Sequence, residues 1–301
     1  MNTVSTLPVP TTRAIPVAVL LALAATWLIW GSTYLAIKVA LTGIAPFLQM
    51  GSRFLLAGAL LLAFLLIRGA MLPTWQQWRN ALVIGGLMLG GGMGAVGVAE
   101  QSISSGLAAT LVAAMPVMLL VWGFVFERAV PKRLEVGGIL LGLVGVVMLT
   151  RGTGLSASPT GTLAMLTAIL CWSLGTVLSR RHFKLADGAM GFASEMLAGG
   201  ALLMLGSVLL GEPWHWPIHA EALAAWVYLV VAGSLIGFSA YMFLLDRVAP
   251  ALGTSYAYVN PVVALAVGVA LGGERVTGWE LLSVMVILAA VGLITVAQRR
   301  G

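Results

Sequence analysis

Ten times along this chain an apolar run of 17 to 24 residues is closed off by turn residues or by charge. A hydrocarbon core about 30 Å thick takes about 20 helical residues to cross, and backbone groups inside it have no water to bond. Runs of this length therefore resolve into membrane-spanning helices. The expected spans are Val17 to Val39, Pro46 to Ile67, Trp78 to Val98, Gly106 to Phe126, Leu134 to Thr150, Thr160 to Ser179, Ala189 to Gly211, Ala222 to Leu245, Ala251 to Gly272, and Trp279 to Ala297. Only 9% of the residues are charged, 60% are hydrophobic and mean hydropathy is +1.04, against roughly a quarter charged in soluble domains. The expected fold class is an all-α polytopic membrane protein of ten transmembrane helices, with a polar cytoplasmic tail over residues 1–16 and the lipid bilayer as its solvent.

The formal charge of +6 does not signal a nucleic-acid partner, because the basic residues come in short bursts between apolar runs, where they act as topology signals. Ten is even, so both termini lie on one side. Placing them in the cytoplasm puts twelve of the sixteen basic residues inside, among them Arg68, Arg79, Arg128, Arg180 and Arg300. Lys38, Arg151 and Arg275 then face out, and Arg53 stays inside the second span. Cys171 is the one cysteine and falls in an apolar run, where a small core residue is the plain reading. His182, His215 and His219 all fall in loops and no aspartate lies mid-span, so neither a metal set nor an acid dyad is available at membrane depth. No enzyme, metal site or cofactor is expected.

The chain also repeats itself. MGSRFLLAGALLL at 50–62 and FASEMLAGGALLM at 192–204 align at an offset of 142, where Ser52, Leu55, Gly58, Ala59, Leu60 and Leu61 meet identical residues and Trp30 meets Trp172. Pro116 and Pro261 align at an offset of 145, as do Glu135 and Glu280. Residues 17–150 and 160–297 are thus two copies of a five-span unit. Because five is odd, the second copy enters the membrane in the opposite sense, which gives an inverted repeat and with it a route to alternating access. One chain already holds both halves, so a monomer is expected.

The stretches WLIWGSTYLAIKVAL, GSRFLLAGALLLAFLLIRG, AEQSISSGLAA to MPV, and PALGTSYAYVNPVVALAVGVALGGE resemble the EamA-type branch of the drug/metabolite transporter superfamily. The resemblance covers Ile15 to about Arg300. It implies ten helices with cytoplasmic termini in a bacterial inner membrane, and export of amino acids, related metabolites or toxic compounds.

Several residues cost too much at membrane depth to be mere span. Asn260 and Pro261 sit about 15 Å into the ninth span, near the midplane, and Pro116 lies at the matching depth of the fourth. Prolines there free carbonyls and kink helices, either for a solute or only for packing. Tyr256 and Asn260 share a helical face flanked by Tyr258. In the first span Trp27, Trp30, Gly31, Tyr34 and Lys38 form a stripe that serves either packing or a cavity, and Trp172 answers Trp30 across the repeat. Candidate solute-binding residues are therefore Trp30, Tyr34, Trp172, Tyr256, Tyr258 and Asn260. Arg53 and Glu195 are ions within spans at the same repeat position, candidates for gating or coupling that inversion keeps apart. Glu100, Asp246 and Glu274 fall at span edges, where a solvated end or a bond to a helix terminus is the plain reading. Gly86, Gly90 and Gly94 have the small-residue spacing of close helix packing.

The function these features support is secondary transport, with facilitative uptake or exchange as the alternative within transport and a non-transporting sensor or scaffold as the alternative outside it. A single cavity arginine does not suit phosphate-bearing solutes. Neutral, zwitterionic or cationic small molecules with apolar parts suit an aromatic wall better.

Overall fold

The computed structural model describes residues 16–112, 114–128, 133–150, 158–245, 247–248 and 255–299. Their regular structure is helical. α1 runs Val17–Ala40 and α2 runs Pro46–Ile67, with proline in its first turn, where no donor is lost. α3 runs Trp75–Glu100 and opens on a capping box, in which Thr74 and Gln77 exchange side chain to backbone hydrogen bonds. α4, Ser105–Val112, is followed by α5, Met115–Glu127, with Pro116 in its first turn. Then come α6, Arg133–Thr150, and α7, Pro159–Arg181, capped by Ser158. The remainder are α8, Ala189–Leu209; α9, Ala220–Leu244; α10, Tyr256–Leu271; and α11, Gly278–Arg299.

Seven of these spans are long and apolar enough to cross a membrane: α1, α2, α3, the α4–α5 pair, α7, α8 and α9. α6, α10 and α11 coincide with the other three expected spans; in the latter two the described apolar stretches, Val259–Leu271 and Gly278–Ala290, are shorter. Large apolar side chains cover the outside, with Ile67 85% and Leu209 75% exposed, a surface that only lipid solvates well. Trp75 at the start of α3 and Trp216 in the loop before α9 are each 83% exposed, the place of interfacial anchors.

α3 and α9 share a departure from α-helical geometry that periodicity did not foretell. Gly86–Met93 within α3 and Leu229–Ile236 within α9 are π-helical, each for eight residues. Such stretches are rare and cluster at functional sites.

α2 and α8 pack closely and antiparallel along their length. A Cβ on Gly58 would stand 3.0 Å from Leu197 and Met196, and one on Gly200 would stand 2.9 Å from the backbone nitrogen of Leu55. Only glycine lets the two backbones approach so closely. Of the glycines expected to pack, Gly86 and Gly94 face Leu202 and Leu203, whereas a Cβ on Gly90 would meet only its own helix. The core runs through this seam and continues along α1, α3, α4 and α7, with Ile37, Phe54, Leu107 and Met165 fully buried.

Hydrogen bonds fasten the ends. At the Lys38 end, Glu274 accepts from Ser105 N at 2.7 Å and Gly106 N at 3.2 Å, closing the N-terminus of α4, and meets Lys38 Nζ at 3.5 Å. The plain reading of Glu274 as a helix-terminus partner thus describes its position. Glu212 does the same for α2, accepting from Phe47 N and Leu48 N at 3.0 and 2.8 Å. Toward the Val17 end, Trp27 Nε1 donates to Ser255 Oγ and Trp122 Nε1 donates to Ser173 Oγ. α4 packs on α1, α7 and α10, while α5 packs on α7.

Candidate functional site

Between these helices lies a cavity of about 140 Å³. Each wall is fixed by a local feature of the chain. α1 contributes Trp30, Thr33, Tyr34 and Ile37, in which Trp30 is followed by residues three, four and seven positions on, along one helical face. α2 contributes Arg53 and Phe54, and the end of the first π-helical stretch contributes Gly92 and Met93. Ala168, Ile169 and Trp172 come from α7, Phe238 from just beyond the second π-helical stretch, and Tyr256 with Asn260 from the first turns of α10.

The structure brings Trp30, Tyr34, Trp172, Tyr256 and Asn260 together around this space, and Arg53 with them. Glu195 does not line it; it is buried in α8, and its backbone carbonyl lies against Gly85 of α3. The side chains of Tyr258 and Pro116 lie outside the described residues, although the neighbouring Met115 lines the cavity. Asp246 also lies outside them. Pro261 is carried inside α10.

Trp30 is the most heavily held of the aromatics. Its Nε1 donates to the carbonyl of Gly233 at 3.1 Å, and its ring meets Tyr256 edge-on at 4.7 Å, Phe238 at 5.3 Å and Tyr241 at 5.4 Å. Edge-to-face aromatic pairs contribute about 0.5–1.5 kcal/mol each beyond burial, so this cluster is rigid. Trp30 packs on Gly237, and Trp172 packs on Gly92 at the other π-helical stretch. Each tryptophan therefore faces the distorted helix of the opposite half of the chain.

Asn260, with its amide oriented to satisfy both atoms, donates through Nδ2 to Tyr256 O at 3.0 Å and Trp27 O at 3.3 Å. The bond to Trp27 ties α10 to α1, and the bond to Tyr256 stays within α10. Arg53 is 3% exposed; its Nε donates to Ser234 Oγ at 2.9 Å and its guanidinium lies 4.9 Å from the ring centroid of Phe54. Its Nη1 has no partner among the described residues.

Sequence reasoning missed Ser234 and Gly233, which hold Arg53 and Trp30, and Phe238 and Met93, which complete the wall. The available signal was the glycine density around 85–92, read as packing alone. Glu100 is a correction. It is 2% exposed, and neither carboxyl oxygen has a partner among the described residues, so it is neither a solvated end nor a cap for them. Its depth follows from helices overlapping it, which a span-edge argument does not include.

A mostly apolar, aromatic-walled cavity enclosed by membrane-crossing helices, with a few polar groups converging on it, has the form of a small-molecule site in a membrane transporter. The EamA-like transporter family model matches residues 17–151 and again 159–296, and the chain belongs to that family, within the drug/metabolite transporter superfamily. It is 44% identical over 278 residues to the uncharacterized inner membrane transporter YedA of Escherichia coli strain K12, covering 92% of this chain and 90% of that one. It is 25% identical over 263 residues to the protein PecM of Dickeya dadantii, covering 87% of each chain. A solved crystal structure superposes with a TM-score of 0.65 at 25% identity, over 95% of this chain and 99% of the other.

Proposed function

We propose that this protein is a secondary transporter of a bacterial inner membrane that works by alternating access, exporting amino acids, related small metabolites or lipophilic and cationic toxic compounds. The observation that carries the reading is the crossed arrangement at the cavity, Trp30 against the π-helical stretch of α9 and Trp172 against that of α3. The reciprocal contacts Gly58 with Leu197 and Gly200 with Leu55 follow the same exchange of halves at the 142-residue offset. Both support two inverted five-helix repeats, over 17–150 and 160–297, with ten transmembrane helices in all. In such a pair the halves exchange roles, and a cavity open to one side becomes a cavity open to the other.

On this reading the Val17 end faces the cytoplasm and the Lys38 end faces out, as the distribution of basic residues favours. Trp30, Tyr34, Trp172, Tyr256, Tyr258 and Asn260 enclose the solute, Pro116 and Pro261 serve as mid-membrane kinks, and Arg53 and Glu195 act in gating or coupling. Purified protein in liposomes, offered a panel of labelled amino acids and lipophilic cations, tests it. Expected is saturable counterflow of at least one solute, abolished in Trp30→Ala. Counterflow that is indifferent to an imposed pH gradient in both the parent and Glu195→Gln favours facilitative exchange over proton coupling. No flux of any solute by well-folded protein favours the sensor reading.

A further inference from the structure

Among the described residues the cavity has a single charged lining residue, and that residue is incompletely bonded. Arg53 is buried to within 3% of full enclosure, yet its Nη1 has no hydrogen-bond partner while its Nε is held by Ser234 Oγ at 2.9 Å. A guanidinium presents its N–H groups as a fixed planar fork whose shape matches a carboxylate. Anchored through Nε and lying over the Phe54 ring, this fork cannot swing away to find water. Leaving a charged donor buried and unbonded is costly, and the cost is removed when an anion completes the set.

From this we infer that the solute carries a carboxylate, which docks on the free edge of Arg53 while an apolar body lies among the aromatic walls. The inference rests on the transport reading and, among its solutes, favours small acidic metabolites over amino acids and cations. A lone fork takes one carboxylate and does not suit a polyanion. Among the described residues the lining holds no acidic side chain to receive an ammonium, since neither Glu100 nor Glu195 reaches it. A net-negative monocarboxylate therefore fits better than a zwitterion or a cation. The volume, about 140 Å³, lies below the roughly 300 Å³ at which drug-sized pockets begin, so the body is of metabolite size, a phenyl ring or a branched chain.

Arg53 also has an intramolecular suitor. Glu100 is buried with both oxygens unbonded, and it lies beyond ion-pair distance of Arg53 in this structure. If Arg53 exists to balance Glu100, substitutions at the two positions should act alike; if it exists for a solute, they should act differently.

Equilibrium dialysis of the full-length protein in lipid nanodiscs decides this without any gradient, using four probes of one shape: 3-phenylpropionate, its amide, phenylalanine and phenethylamine. The parent protein should bind the acid about ten- to a hundredfold more tightly than the amide, with phenylalanine weaker than the acid and phenethylamine weakest. Arg53→Gln and Arg53→Lys should bring acid and amide to within about threefold of each other, and Glu100→Gln should retain the preference or enlarge it. Equal affinity of the parent for acid and amide overturns the inference, as does phenylalanine or phenethylamine binding more tightly than the acid. Loss of the preference in Glu100→Gln overturns it too, by assigning Arg53 to Glu100. The comparison in the parent needs no variant to fold. Because dialysis measures binding alone, a failed acid preference leaves the transport reading standing, and absent flux in liposomes leaves the acid preference standing.

Discussion

Lys38 reaches Glu274 across 3.5 Å while the same carboxylate takes the leading backbone N–H groups of α4, so one acid joins α1, α4 and the turn after α10. Lys38 is 37% exposed, so the ion pair itself contributes little, about 0–1 kcal/mol. The bonds to the helix terminus carry more, about 1.5–3 kcal/mol for a charged acceptor. Glu274→Ala should therefore loosen this end. A cysteine replacing Thr33, in a background with Cys171→Ser, should label from the Lys38 side about tenfold faster once Glu274 is gone. An unchanged labelling rate would mean that Glu274 fixes the helix end without contributing to the barrier.

The two cavity tryptophans should differ in kind. Trp30 combines a hydrogen bond to Gly233 with three ring contacts, whereas Trp172 lies against Gly92. Trp30→Phe should lower thermal stability by about 0.5–1.5 kcal/mol through the lost hydrogen bond alone, and Trp172→Phe by less. Calorimetric unfolding in detergent gives the comparison. A larger loss at Trp172 would mean that the clustered aromatics are held from elsewhere.

At the α2–α8 seam, Gly58→Leu and Gly200→Leu each force bulk into a contact near 3 Å, at about 1–3 kcal/mol or more. Both should reduce the yield of monodisperse protein to a similar degree, because their contacts are reciprocal. Gly123→Leu, where a Cβ would meet nothing within 4 Å, is the control and should purify normally. Normal yield of all three would show that the seam yields to bulk.

Reporters fused after Arg300 and inserted between Gly211 and Ala222 test the ten-span inverted arrangement. The first should read cytoplasm and the second periplasm, and both on one side would rule the arrangement out. Light scattering of the active preparation should give a monomer, and flux seen only in a dimeric fraction would contradict the one-chain reading.

Much of the cavity was legible in the sequence because cost at membrane depth is a local property. An indole, a phenol or an amide in an apolar run stands out whatever surrounds it, and Trp30, Tyr34, Trp172, Tyr256 and Asn260 were found that way. The partners were not legible, because they depend on which helix lies opposite. Nothing in the chain announces that Arg53 should meet Ser234, 181 positions away, or that helices cover Glu100 at its span edge. The π-helical stretches escaped for another reason. Over eight residues that, Ser234 apart, are apolar or glycine, the pattern does not distinguish an i to i+5 ladder from an i to i+4 one.

Those two stretches stand at equivalent places in the two halves, and on the proposed repeat reading they carry a record of descent. From Gly86 to Leu229 is 143 residues, inside the 142 to 145 spacing that separates the matching sequences of the two halves. A widened turn holds more residues than an α-turn over the same rise, so it is the trace left when a helix accepts an insertion without shifting its ends. Two unrelated insertions would have no reason to settle at equivalent positions. On the proposed reading of two copies of a five-helix unit, a single insertion made before that unit was copied and joined to itself accounts for both. The distortion would then be older than the joined protein, dating from a time when the second half of the cavity was supplied by another molecule.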